Sequence, residues 1–449
     1  MTVPTLDYLV DDEGATGDGS TLDTAAIQAA IVRASDAGGG RVVLTPGKTY
    51  LAGSIVLLSH VELHVPGGAT LKASPEFADF SVRQNGVVQM DEPASDHSSV
   101  LTASFLSADD ARGVALTGRG VIDGNGRSYV VEPGVDIHAA ADHRVFTIYF
   151  RDIVGVAITD VRIVDGSLWT VRLSRCDDVV VHAVSIKNDV RMPNSDGIDI
   201  DACRGVRISD CDIQAGDDAI CLKAAIESTR DGRVCENVTI VGCTLQSSST
   251  AILCGVECDT AIQDVVVSGC VIYSSNRGLA VSLRERGMIR RVRFENIVVN
   301  TDLFDERWWG RGEPIYVTAA ARSTRVGTVS EISFRGITAR SPRGIFLYSE
   351  VDGAVEGITV SDVELELIAP DRVSATDPHR ADIRPVPHGG IFDDPVVAIR
   401  VHGVRGSALR DVRVTRSAQL SRTAVARITD SMNVDFHDIS VDGERLVDR

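Results

Sequence analysis

The chain has few aromatic residues, 5% of its 449 positions, and no run of the roughly 18 consecutive apolar residues that a membrane helix needs. A membrane-spanning helix is therefore not expected. Positive charge is also scarce: 45 Lys and Arg face 63 Asp and Glu, a net of −18. The long-range field of such a chain repels phosphate backbones and acidic membrane surfaces, so neither nucleic acid nor a membrane is an expected partner. The opening residues, Met1 to Tyr8, hold no basic segment followed by an apolar one, and nothing there reads as an export signal. Nine cysteines, an odd number, include no CxxC pair and no Cys/His set of zinc spacing. The expectation is reduced thiols, a cytoplasmic protein, and no metal or cofactor.

What the chain does have is 44% hydrophobic residues and 40 glycines, with many Val and Ile, which suits short strands and tight turns. A nine-residue pattern organises them. Its first place is polar or Gly; its second, fourth, seventh and ninth are apolar, with Cys allowed at the seventh. Copies begin at Gly113, Gly155, Asp178, Gly205, Asn237, Asp264, Arg291, Glu331, Gly357, Gly406 and Asn433, between 23 and 49 residues apart. Alternation inside each copy puts the apolar side chains on one face. Strands that repeat with no helix between them predict an all-β, right-handed parallel β-helix, a single solenoid domain over 1–449 in which each coil is buried only by its neighbours. Cys211, Cys243 and Cys270 fall at the seventh place and should stack as small hydrophobes, with Cys176, Cys203 and Cys235 forming a second ladder.

Residues 20–35 read as a helix with a Ser or Thr N-cap and an apolar face of Leu22, Ile27, Ala30 and Ile31, placed to cap the open end of the solenoid. Two insertions, 302–315 and 366–395, are long loops expected beside a groove. The first carries Trp308 and Trp309. The second, with Asp371, His379, Arg384, His388, Asp393 and Asp394, reads as an irregular wall that favours short, exo-type substrates. His60 and His64 lie on an alternating strand and read as ordinary structural residues.

Two neighbouring coils carry carboxylates in runs: Pro193-Asn-Ser-Asp-Gly-Ile-Asp-Ile-Asp201 and Gln214-Ala-Gly-Asp-Asp-Ala-Ile-Cys-Leu-Lys223. Aligning Ile198 with Ala219 sets Asp196 level with Asp217, about 4.8 Å apart, with Asp218 alongside. Carboxylates that close cannot all ionise at their usual pKa, so one keeps its proton near neutrality. A retained acid facing water-activating carboxylates is the equipment of inverting glycoside hydrolysis, which needs its opposed groups roughly 6.5 to 9.5 Å apart. Asp199 and Asp201 read as turn and ladder residues. The other expected substrate contacts are Trp169, Trp308 and Trp309, on which a sugar ring can stack, and Glu257.

These two runs resemble the paired signature of glycoside hydrolase family 28, the polygalacturonases and rhamnogalacturonases. The resemblance spreads over roughly residues 15 to 300. It implies metal-independent inverting hydrolysis with Asp217 as general acid, Asp196 and Asp218 holding and deprotonating the water, and Asn194 orienting the site. Two family motifs are missing. Ser249, within Ser247-Ser-Ser-Thr250, stands where the family has histidine and is expected to contact substrate in its place. Ala280-Val-Ser282 stands where it has the Arg-Ile-Lys that grips a galacturonate carboxylate, with Arg284 as a possible substitute. The expectation is an exo-acting glycosidase on an imported, neutral oligosaccharide, with a homo-oligomer possible. The alternatives are an exo-polygalacturonase on galacturonate, a calcium-dependent lyase on the same fold, and a non-catalytic solenoid.

Overall fold

The structure is a computed structural model that describes residues 6–81, 103–322, 325–370, 380–383, 391–393, 397–420 and 424–445. Its compact units are Met1–Gly216 and Asp217–Arg449. The chain folds as a right-handed parallel β-helix, the hand that strand twist imposes on parallel strands joined by crossovers.

In the first unit the repeat stacks in the predicted register. Val114 pairs with Val156, Val156 with Val179, and Val179 with Val206, all second places of their copies. A second sheet runs through Ala103–Asp109, Val145–Arg151, Val171–Ser174 and Ile198–Asp201. In the second unit Val238, Val265, Val292, Ile332 and Ile358 continue the same rule, each over the next. There the second sheet is built from Ile220–Ala224, Thr250–Cys258, Arg277–Leu283 and Ile315–Ala319. All nine cysteines are free and buried. Cys203 Sγ accepts the Cys176 amide at 3.3 Å within the first unit.

The pattern has a backbone cause. The first residue of every copy, from Gly113 to Asn433, has a φ between 50° and 82°, the left-handed region that Gly, Asn and Asp enter most cheaply. The sixth residue of every copy is left-handed too, from Gly118 through Asp160, Ala183 and Asp210 to Asp438. Each copy is thus a strand bent at two fixed corners.

The helix, α1, spans Thr24–Asp36, not 20–35. Ser20 and Leu22 belong to the strand Asp18–Leu22, and Leu22 is 46% exposed, so it leaves the predicted face. Asp23 precedes the helix, but its carboxylate accepts the amides of Thr16 at 2.6 Å and Gly17 at 3.0 Å instead of capping it. α1 buries Ile27, Ala30, Ile31 and Ala34. Gln28 both donates to Val56 O and accepts from Val56 N, at 2.9 Å each. The strand Ile55–Val56 pairs with Ala103–Asp109 at the edge of the second sheet, and the Gln28 amide does for it what a further strand would do, so the edge is covered.

The first insertion ends at Pro314, since Ile315 opens a strand. The second begins after Leu367 and is not wholly irregular: Arg380–Asp382 pairs antiparallel with Ile391–Asp393. Asp371, His379, Arg384, His388 and Asp394, and the side chain of Asp393, lie outside the described residues. His64 lies on the strand Val61–His64, where its Nδ1 meets Thr117 Oγ1 at 2.8 Å, a structural role.

Candidate active site

In the first unit, Asp196 lies two residues ahead of the strand Ile198–Asp201 and is 3% exposed. Its carbonyl accepts the Thr170 amide at 2.9 Å. The preceding Ser195 donates its hydroxyl to Met192 O at 2.8 Å and accepts the Gly216 amide at 3.2 Å. Gly216 has no room for a side chain, because a Cβ there would meet Met192 O at 2.2 Å. Both partners of the Ser195–Gly216 bond are followed at once by an acid, Asp196 after one and Asp217 after the other.

Asn194 is left-handed at φ 57°. Its side-chain oxygen accepts Arg144 Nη2 at 2.7 Å, while Arg144 Nη1 donates to Ser167 O at 3.0 Å and Pro193 O at 2.5 Å. The buried Arg144 therefore clamps the Pro193–Asn194 segment. It lies about fifty residues upstream of that segment, where no local pattern marks it.

Trp169 corrects an expectation. It is 8% exposed, meets Phe146 edge-on at 6.2 Å and packs with Leu168. Its other neighbour is the Arg172 guanidinium, 4.8 Å from its ring and 5.0 and 5.5 Å from those of Tyr149 and Phe146. The ring encloses a buried cation and leaves no face for a sugar.

In the second unit, Asp217 is half-buried and Asp218 buried, just ahead of the strand Ile220–Ala224. The serine run that replaces the family histidine holds both. Ser247 Oγ donates to Asp217 O at 2.6 Å and accepts the Ser249 amide at 2.9 Å. The Thr250 amide donates to Asp218 Oδ1 at 2.9 Å, and the Ser249 hydroxyl also bonds that carboxyl. Ser249 is 2% exposed, so it positions an acid and does not contact substrate as expected.

Burial pushes the Asp218 carboxyl above the usual carboxylate range. The charge of Lys223, the Thr250 amide, the Ser249 hydroxyl and the charge of Arg277 oppose that rise without cancelling it. Lys223, within the acidic run but given no role from sequence, donates Nζ to Val256 O at 2.6 Å. Arg277 was missed altogether. Its Nε reaches Glu313 Oε2 at 3.1 Å, its Nη2 reaches Asp382 O at 3.1 Å, and its guanidinium lies 3.7 Å from the centre of the Tyr316 ring. The register that pairs Thr250 with Arg277 is the signal that would have found it.

Of the remaining expected contacts, Glu257 lies on the strand Thr250–Cys258, Arg284 just past the strand Arg277–Leu283, and Trp308 and Trp309 in the first insertion. Ala280 and Ser282 are fully buried, and Ser282 Oγ meets Thr318 Oγ1 at 3.0 Å. Gly255, at φ 121°, passes so close to the next coil that a Cβ would meet Ser282 O at 1.9 Å. Glu257 is half-buried on the strand Thr250–Cys258. Arg284 is 3% exposed, with its guanidinium 5.1 Å from the Trp309 ring. Trp309 packs against the cluster of Cys221, Leu253 and Tyr316, and Trp308 is 4% exposed. The Trp pair therefore fixes its loop to the solenoid. Trp308 has no free face for a sugar, and Trp309 already carries a cation. Asp217 and Asp218 are oxygen donors of the type calcium takes, but Lys223 and Arg277 already place positive charge at Asp218.

The model of glycosyl hydrolases family 28 matches residues 58–379. A probable polygalacturonase of Vitis vinifera is 29% identical over 280 residues, which cover 60% of this chain. The chain spans only 55% of that protein's length. An exopolygalacturonase of Zea mays is 22% identical over 368 residues, covering 79% of this chain and 82% of its own. Among solved structures, the family 28 exopolygalacturonase of Yersinia enterocolitica has the same fold, with a TM-score of 0.69 at 17% identity, covering 99% of this chain and 80% of its own. With well over half of its residues matched, the chain belongs to glycosyl hydrolases family 28.

Proposed function

We propose that this chain is an inverting, exo-acting hydrolase of galacturonate-bearing oligosaccharides in which Asp196, Asp217 and Asp218 act on one glycosidic bond. The observation that carries it is the Asp217–Asp218 pair. Neighbouring carboxyls titrate as a unit, and here one member is buried with a raised proton affinity while the other is half-exposed. In the reactive form the one proton the pair shares sits on Asp217, the more open, which passes it to the leaving oxygen as the C1–O bond breaks, while Asp218 is ionised. Water attacks C1 from the opposite face and gives its proton to Asp218 with Asp196, and the product forms with the inverted configuration. A base works best when its proton affinity approaches the working pH, which suits the rise at Asp218.

The preference for an acidic sugar replaces the expectation of a neutral one. That expectation rested on Ala280 and Ser282, yet Lys223 and Arg277 supply positive charge at Asp218 by another route. The relatives' names point the same way. For exo action, the support is the Gly310 amide donating to Asp382 Oδ2 at 3.0 Å, which ties the two insertions into one wall.

The test is hydrolysis of tri-galacturonate followed by NMR. Asp217→Asn should lower kcat by about 10²- to 10⁴-fold, and the first-formed anomer should be inverted. Unchanged turnover or a retained anomer would sink the assignment. Faster cleavage of a neutral trisaccharide would restore the neutral reading, and mixed products from a hexamer would exclude exo action. We also propose a cytoplasmic location, supported by nine free thiols and tested by cell fractionation.

A further inference from the structure

The unit Asp217–Arg449 contains a cavity of about 750 Å³ with five arginines in its wall: Arg230, Arg284, Arg286, Arg322 and Arg325. Two acids, Asp259 and Glu285, share it. In a chain with a net charge of −18, this local excess of cations is out of character. Burial pushes the Glu285 carboxyl above its usual range, against the charges of Arg284 and Arg322.

The cavity is built by the fold. Successive coils turn a corner after the strands Thr250–Cys258, Arg277–Leu283 and Ile315–Ala319, and each delivers part of the wall. Backbone bonds fix the stack: the Arg322 amide donates to Arg284 O at 3.0 Å, and the Gly327 amide to Glu285 O at 2.8 Å. The site is separate from the catalytic acids. Asp218 takes the Thr250 amide, Thr250 pairs with Arg277, and Arg284 lies seven residues further on. At about 3.3 Å per residue that is up to ~23 Å along the strand. Its volume is in the range of sites for small ligands, and guanidinium forks match carboxylates in geometry as well as charge.

We propose that this cavity is a second carbohydrate site, which holds a uronate unit of an acidic oligosaccharide through its carboxylate. The proposal rests on the acidic-substrate reading above, so its test separates binding from turnover. Asp217→Asn protein is titrated calorimetrically with tri-galacturonate, with and without Arg286→Ala and Arg325→Ala together, both being exposed arginines. Two binding events are expected in the parent, one of them weakened at least tenfold in the arginine variant and by added salt. The methyl-esterified trimer should lose the arginine-dependent event. A titration unchanged by the arginine variant, with its fold verified by circular dichroism, overturns the proposal. So does inorganic phosphate displacing the trimer from this site at equal concentration, which would mark a phosphate site. If Asp217→Asn retains turnover, the catalytic assignment fails while the binding result is still read.

Discussion

At Asp218 the balance between burial and the opposing polar groups fixes a direction for pH. Its carboxyl holds a proton more tightly in the folded chain than in the unfolded one. The folded state therefore binds the extra proton between the unfolded carboxylate value, ~3.9, and the raised folded one, and stability falls as pH climbs through that window. Asp218→Asn should melt higher than the parent above the window and equal to it below, while losing activity; a variant that melts lower at neutral pH contradicts the account. If Asp218 is the base, kcat/KM falls on the acid side as it protonates. Removing a group that favours its charged form moves that limb to higher pH. Ser249→Ala and Lys223→Met should both do so, as pH–rate profiles can show. An unmoved limb in both would place the base elsewhere.

Among the strands, the corners at the first and sixth places of each copy carry the architecture. Ala183 is the one sixth-place residue that is not Gly, Asp or Asn, yet it is left-handed at φ 54°. Ala183→Gly should stabilise the protein by roughly 0.5–1 kcal/mol, relief of the Cβ clash outweighing the added chain entropy, seen as a higher melting temperature. Arg277 predicts the opposite sign. Arg277→Met strands a 3%-exposed Glu313 carboxylate without its cation and should cost about 3–5 kcal/mol, and adding Glu313→Leu should recover part of it.

The same corners show what the sequence made legible. Apolar alternation and the polar-or-Gly first place gave the coil register correctly, because stacking acts on every copy alike. The sixth place was as informative, but its Gly and Asp passed for ordinary variable positions. The carboxylate runs were readable because their neighbours are adjacent in sequence. Arg144, Arg277 and the hydroxyl of Ser249 were not, since what they touch depends on which residue of the next coil faces them. The tryptophans misled for a related reason: a coil edge has an inner and an outer side, and sequence position does not choose between them.

Over the whole molecule, nine buried thiols make a further expectation. Burial pushes Cys254 up to about 12, and Cys270, bonded to Cys243, rises as well. Little thiolate forms near neutrality. A disulfide reagent should titrate none of the nine in the native protein and all nine after denaturation; rapid labelling of the native protein would contradict the packing.

Since every copy brings its own pair of bends, length in this protein is additive. A segment of one coil, duplicated or lost whole, presents the same edge to whatever lies above and below it. Growth by tandem duplication therefore asks little of the rest of the gene, and the sites where such a chain tolerates new material are the stretches between copies, where this one already keeps its insertions.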